Sequence, residues 1–238
     1  MSSTVRSEAL DIGLPVPVEI RAMRSARRLR LRFDEAKGTL KLTCPARTSR
    51  RAALAWALDQ RDWVEKQLAR AAQPEPFAPD AVIPIEGRDV RICWSPAFPR
   101  LPALVGDELR CGGPLEALPR RVTAFLKSLA LQRMSDDAAE FAAKAGVAVH
   151  SVAVGDASSR WGSCSSEGRI RLSWRLILAP SAVRRYVVAH EIAHLRHMHH
   201  GPEFKAFEAW LFGPGITEAK TELRRLGPRL RRVGRGHH

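Results

Sequence analysis

The chain has 238 residues, with 39 Lys and Arg against 25 Asp and Glu, for a formal net charge of +14. At 45% hydrophobic and 27% charged residues, it has a globular rather than a disordered composition, with length for one ordinary domain plus an accessory piece or for two small domains. There is no run of about 18 apolar residues, no apolar signal core near Met1 and no Cys-x-x-Cys among Cys44, Cys93, Cys111 and Cys164, so the chain reads as a cytoplasmic protein with no membrane span and no disulfide or zinc-ribbon scaffold.

The basic excess makes DNA or another polyanion a candidate partner, although 32 Arg against 7 Lys is also what a biased genome produces. The excess is uneven: net +6 over 1–75, +2 over 76–183, zero over 184–219 and +6 over 220–238.

In chain order, Arg28-Leu-Arg-Leu-Arg-Phe33 alternates strictly, placing its Arg on one face and Leu29, Leu31 and Phe33 on the other. Residues 34–38 form a turn and Thr39–Thr43 returns, giving a hairpin with one basic face. Thr48 or Ser49 caps a helix over 50–72, with Ala53, Leu54, Ala57, Trp63, Val64 and Leu68 as its apolar stripe. The Pro-rich stretch 73–79 is a linker. Short strands follow at Val82–Ile85, Val90–Trp94 and Glu108–Cys111, and then a long helix over Leu118–Ala145 ends at Gly146. Two strands, His150–Gly155 and Arg169–Trp174, flank a Ser/Gly-rich loop. Pro180-Ser181 opens a helix running into the late 190s, and Pro202 opens another reaching about Arg225. The tail from Arg224 to His238 is expected to fray, and its last two His are set aside.

The strongest chemical signal is His190-Glu191-Ile192-Ala193-His194. His at i and i+4 share one helix face and can reach a single metal ion, while the intervening Glu can hold a water and take its proton. Imidazole ligands suit zinc, and a catalytic zinc site needs a third protein ligand. Candidates downstream are His197, His199, His200, Glu203 and Glu208. His200, just before Gly201-Pro202, is favoured because a chain break there can fold it back onto the metal. Position 197 is His rather than the Gly of a metzincin turn. Trp161 and Trp174 read as core. Ser163 and Cys164 have no base assigned to them and read as a small-residue turn beside the cleft rather than as nucleophiles. Tyr186, the lone Tyr, lies one turn before His190 and reads as a packed residue with a satisfied hydroxyl that could also help an oxyanion.

Together, Arg160-Trp-Gly-Ser-Cys164 with the strand after it, Tyr186-Val-Val-Ala-His-Glu-Ile-Ala-His-Leu195, the Arg27–Leu31 hairpin and the Trp63 helix resemble the YgjP-like zinc metallopeptidases, relatives of the SprT-like proteases. The resemblance covers roughly 18–212. It implies an α+β, zincin-like fold with a small sheet packed on the active-site helix, and a pattern of His-Glu-x-x-His, five residues, then His, met by His190, Glu191, His194 and His200. The chain departs from the family's usual Asn before the third His by carrying His199, which makes His199 the alternative ligand. The implied activity is peptide-bond hydrolysis, with Zn2+ as cofactor and Glu191 as general base. The segment 168–174 is expected to be the sheet edge over the active helix, making Arg169, Ile170, Arg171, Leu172 and Tyr186 candidate contacts for a protein or peptide substrate. The expected organisation is a basic hairpin-and-helix region over 1–75, short strands over 76–117, a catalytic region over 118–226 and an Arg-rich tail over 227–238. The competing reading is a DNA-associated protease or nucleic-acid-binding module that uses the basic ends.

Overall fold

The computed structural model describes residues 9–34, 38–70, 74–157 and 160–235. The fold is mixed α+β, with six α-helices and three small sheets among these residues. The chain divides into two compact units, Met1–Gln73 and Pro74–His238.

In the first unit, β1 (Ala9–Leu10), β2 (Val18–Met23), β3 (Arg30–Asp34) and β4 (Thr39–Pro45) form a sheet of order β1-β2-β4-β3. The expected hairpin is β3–β4, antiparallel, with Leu31 opposite Leu42 and Phe33 opposite Leu40. Its turn at 35–37 lies outside the described residues. β2 alternates over Val18–Ala22 in the same way as β3, and it joins the sheet through a parallel pairing with β4 that no local turn announces. Ser49 caps α1 (Arg50–Leu58) by accepting from the Ala52 N–H at 3.2 Å. The single expected helix is two, because the chain breaks at Asp59-Gln60 before α2 (Arg61–Arg70), and residues 71–72 lie outside the described set. Val18, Leu40, Leu42, Ala53, Ala57 and Val64 make a core of their own.

In the second unit, β5 (Val82–Ile85), β6 (Arg88–Trp94), β7 (Ala103–Val105) and β8 (Glu108–Cys111) form a sheet of order β5-β6-β8-β7. The long α3 (Leu118–Ala145) buries Leu118, Val122, Leu126, Ala130, Met134 and Ala138 along one stripe and ends at Gly146 with φ 64°, the left-handed conformation glycine adopts without strain. The third sheet has β9 (Ser151–Gly155), β10 (Gly162–Cys164) and β11 (Arg169–Ser173) in the order β10-β11-β9. A buried 3-10 segment, Trp174–Leu178, leads into α4 (Ser181–Ala193).

Two expectations about the C-terminal part are corrected. The helix opened by Pro202 is interrupted at Gly213-Pro214-Gly215, giving α5 (Pro202–Phe212) and α6 (Ile216–Leu230). The stretch after Arg224 does not fray: Leu230 and Val233 are buried, and the 4%-exposed Arg175 donates to the carbonyls of both. Only residues 236–238 of the tail lie outside the described set.

Ion pairs, the Arg184–Asp137 pair fully buried, fix α4 against α3 and the β5–β6 turn. Arg184 donates to Asp137 at 2.8 Å and to Glu86 at 2.7 Å, while Arg185 reaches Asp137 at 3.0 Å and Glu140 at 2.5 Å. Removing one member would strand a buried charge, which is why such pairs fix position more than they add net stability.

The Arg175 anchor has a pH signature. Burial alone would raise the Asp156 carboxyl, but the hydrogen bond and charge of Arg175 outweigh it and hold the group below its ordinary 3.8. A depressed carboxyl stabilises the fold fully above its unfolded value and loses that contribution as pH falls through the folded one. Asp156→Asn is therefore expected to lower the Tm at about pH 7, with the gap to wild type narrowing as pH falls from about 5 to about 3. A pH-independent gap in thermal melts would contradict this.

Candidate metal centre

The site is built on α4 and α5. Val183, Val187, Val188 and Ile192 bury one side of α4, which leaves His190 and His194 side by side on another. After His194 the helix tightens into turns, and Gly201 and Pro202 at the start of α5 reverse the chain. That reversal carries His200 back toward the helix. The ring nitrogens of His190, His194 and His200 include three that all lie within 4.8 Å of one another, and Nε2 of His200 is 3.3 Å from Nε2 of His190. His199 is not in this group. His197 points instead toward Glu203, 3.7 Å away.

Two residues that sequence reasoning did not place hold the cluster. Glu208, 2% exposed on α5, accepts a hydrogen bond from His190 Nδ1 at 2.7 Å and another from Lys220 of α6 at 2.8 Å. Burial alone would raise the Glu208 carboxyl, but the hydrogen bonds from His190 and Lys220 outweigh it and bring it down to about 2. An ionised Glu208 only accepts, so Nδ1 of His190 carries a proton, and in the neutral ring that ligates a metal the lone pair is on Nε2, facing the cluster. Glu208 had been one of the candidate third ligands; here it orients a ligand. Phe204, 1% exposed, packs its ring 5.1 Å from that of His190 and 4.7 Å from those of His194 and His200. The sequence offers Glu208 as one candidate ligand among several and Phe204 only through the α5 periodicity, which brings 204 and 208 to one face.

Glu191 is 5% exposed, next to the cluster. Burial pushes its carboxyl up to about 7 against the charges of His190 and Arg160. Its carboxylate lies against Gly162 of β10, where an added Cβ would stand 2.7 Å from Glu191 Cδ. Only a glycine admits the Glu191 side chain there. A cleft of about 230 Å³ opens alongside, lined by Arg160, Trp161, Tyr186, Val187 and Leu223 with the site residues. Burial, then the charge of Glu208, pushes the Tyr186 phenol up, and its ring stands edge-on to Phe212 at 5.9 Å.

The sheet beside the site corrects one expectation. β11 is the central strand, hydrogen-bonded on both sides, and Ile170 and Leu172 are each 1% exposed. The edges are β9 and β10, and β10 is the stretch Gly162-Ser163-Cys164 that the sequence reads as a turn. Three small or polar residues carry too weak an alternation to announce a strand. Burial, then the charge of Glu191, pushes the Cys164 thiol up to about 11, which leaves it protonated and poorly nucleophilic. Trp174 is buried as expected, while Trp161 is half-buried, under Arg231 at 4.3 Å.

The donor set fits a metal ion. Three imidazoles converge, one has its tautomer fixed by a carboxylate, and burial together with the charges of His190 and His200 holds His194 below its ordinary value, favouring the neutral form that ligates.

The family model of the YgjP-like metallopeptidase domain matches residues 27–226. The chain belongs to the YgjP-like metallopeptidase family. No curated protein and no solved structure matches it. Membership makes it a metallopeptidase-family hydrolase with a metal cofactor, and His190, His194 and His200 are the residues of this YgjP-like chain whose geometry suits one. No helix among the described residues is long and apolar enough to cross a membrane.

The Glu208 bond to His190 gives a direct expectation. Glu208→Gln should weaken divalent-metal affinity roughly 10–100-fold, the usual effect of losing a partner that orients a ligand. Chelator competition reads this, and unchanged affinity would contradict the orienting role.

Proposed function

We propose that the protein is a zinc endopeptidase with a zincin-like arrangement, in which His190, His194 and His200 hold the ion and Glu191 is the general base. The observation that carries the reading is the convergence of these imidazoles on one point with the buried Glu191 carboxylate alongside. Zinc is favoured by the all-imidazole donor set of His190, His194 and His200. When bound, the ion supplies Lewis acidity, polarising the scissile carbonyl and lowering the pKa of water.

The chain's own residues do the rest. Glu191 takes a proton from the attacking water as its oxygen bonds to the carbonyl carbon, and passes that proton to the leaving amine nitrogen as the C–N bond breaks. Glu208 keeps the His190 proton on Nδ1 throughout. The free edge of β10 offers backbone groups to an extended peptide, a sequence-tolerant way to seat a substrate across Glu191. The adjoining cleft, with Trp161, Tyr186, Val187 and Leu223 in its wall, accepts a substrate side chain. The substrate contact is thus assigned to β10 and Tyr186 rather than to β11.

Glu191→Gln should retain metal at wild-type stoichiometry and lose peptide cleavage by at least about 100-fold, the lower range for a positioned acid–base group. Cleavage of casein or a peptide library together with metal analysis checks it. Metal retained with cleavage unchanged would overturn the general-base assignment.

A further inference from the structure

The first unit carries a groove that the peptidase reading does not use. It lies beside β3, the edge strand of its sheet, and is lined by Arg28, Arg30, Trp56, Gln60 and Trp63 around a space of about 290 Å³. The floor is Leu29 and Leu31, which pack against the unit's core.

The cations here are unspent. Arg28 and Arg30 are exposed, and neither forms an ion pair among the described residues. Arg21, Arg24, Arg27 and Arg32 are exposed as well, so the β3 side of the groove is basic, while the helix side also exposes Asp59, Asp62 and Glu65. The other basic end of the chain is different: Arg225 is paired with Glu222, Arg229 and Arg232 with Glu75, and Arg231 lies over Trp161. Whole-chain charge hides this contrast.

Trp63 is open to solvent and Trp56 is open in part, packing its other side against the unit's core. Trp161, Trp174 and Trp210 each have a cation over the ring, at 4.3, 4.5 and 5.2 Å, whereas no such contact covers Trp56, Trp63 or Trp94 among the described residues. Trp63 is 37% exposed and Trp56 is half-buried. Leaving a large apolar ring in water is unfavourable unless something stacks on it.

Unpaired guanidinium groups beside one exposed and one half-buried indole suit one ligand chemistry: a flexible polyanion that presents flat, unstacked rings. A single-stranded polynucleotide has both, with phosphates for Arg28 and Arg30 and bases for Trp56 and Trp63. A duplex keeps its base faces stacked inside and offers only phosphate. We propose that this groove binds single-stranded nucleic acid. The proposal does not depend on the metal centre, so its failure would leave the peptidase reading untouched, and the converse holds.

The test is anisotropy of a fluorescein-labelled oligo(dT) of about 15 nucleotides titrated with the full-length protein across a salt series. Wild type should bind it more tightly than a duplex of the same length. Trp63→Ala should lose about fivefold or more in affinity, the low end of base-on-aromatic stacking, with Trp63→Phe retaining most of it. Arg28→Ala/Arg30→Ala should weaken binding and flatten the slope of log affinity against log salt by about 1.4, for two lost phosphate contacts on a single strand. Oligo(dT) should also quench wild-type tryptophan emission, and quench Trp63→Phe less, a readout that stands even if the alanine variant folds poorly. No binding by wild type at low salt, equal or tighter binding of the duplex, or variants indistinguishable from wild type would each overturn the proposal.

Discussion

A single buried carboxylate holds the metal centre together. Glu208 sits at the meeting point of three helices: it belongs to α5, accepts from His190 of α4 and accepts from Lys220 of α6. Its charge is compensated from both sides, which lets it be 2% exposed without neutralising. The consequence for chemistry is one of tautomer. With the His190 proton committed to Nδ1, the Nε2 lone pair is fixed toward His194 and His200, and the cluster becomes a set of acceptors that a cation completes. Phe204, one turn before Glu208 on the same helix, supports the three rings from below. The ligands, their orienting group and their apolar support thus all come from 190–208, the segment whose surroundings carry no net charge.

The centre depends on supports outside that segment. Arg184 and Arg185 lock the start of α4 to Asp137 and Glu140 of α3, which fixes the helix that carries the ligands. Arg175, within the buried 3-10 segment that precedes α4, ties the end of α6 in place. Gly162 leaves room for Glu191 against the sheet edge. Each is a different solution to one problem: a rigid site needs supporting groups whose own positions are overdetermined.

Much of this was legible in the sequence, and the parts that were not share a cause. The His-Glu-x-x-His spacing, the break at Gly201-Pro202, the long α3 with its Gly146 terminus and the alternation of β3 are local patterns, and local patterns survive without tertiary information. β2 takes its place in the sheet through a parallel partner 22 residues away in sequence, β10 becomes a strand through pairing of Gly, Ser and Cys with β11, and the C-terminal stretch is ordered through Arg175. The partnership of Glu208 with His190 spans 18 residues, and the sequence showed Glu208 only as one acid among several. The charge arithmetic located the excess at the two ends but could not say which arginines were already engaged. The structure separates them, with Arg225, Arg229, Arg231 and Arg232 paired or stacked and Arg28 and Arg30 beside β3 open.

The central claim is that His200, rather than its neighbour His199, completes the metal set with His190 and His194. Metal content per chain, measured on wild type, His199→Ala and His200→Ala purified identically, tests it most directly. About one equivalent of metal is expected in wild type and in His199→Ala, with loss of most of it in His200→Ala. Metal kept by His200→Ala and lost by His199→Ala would contradict the account.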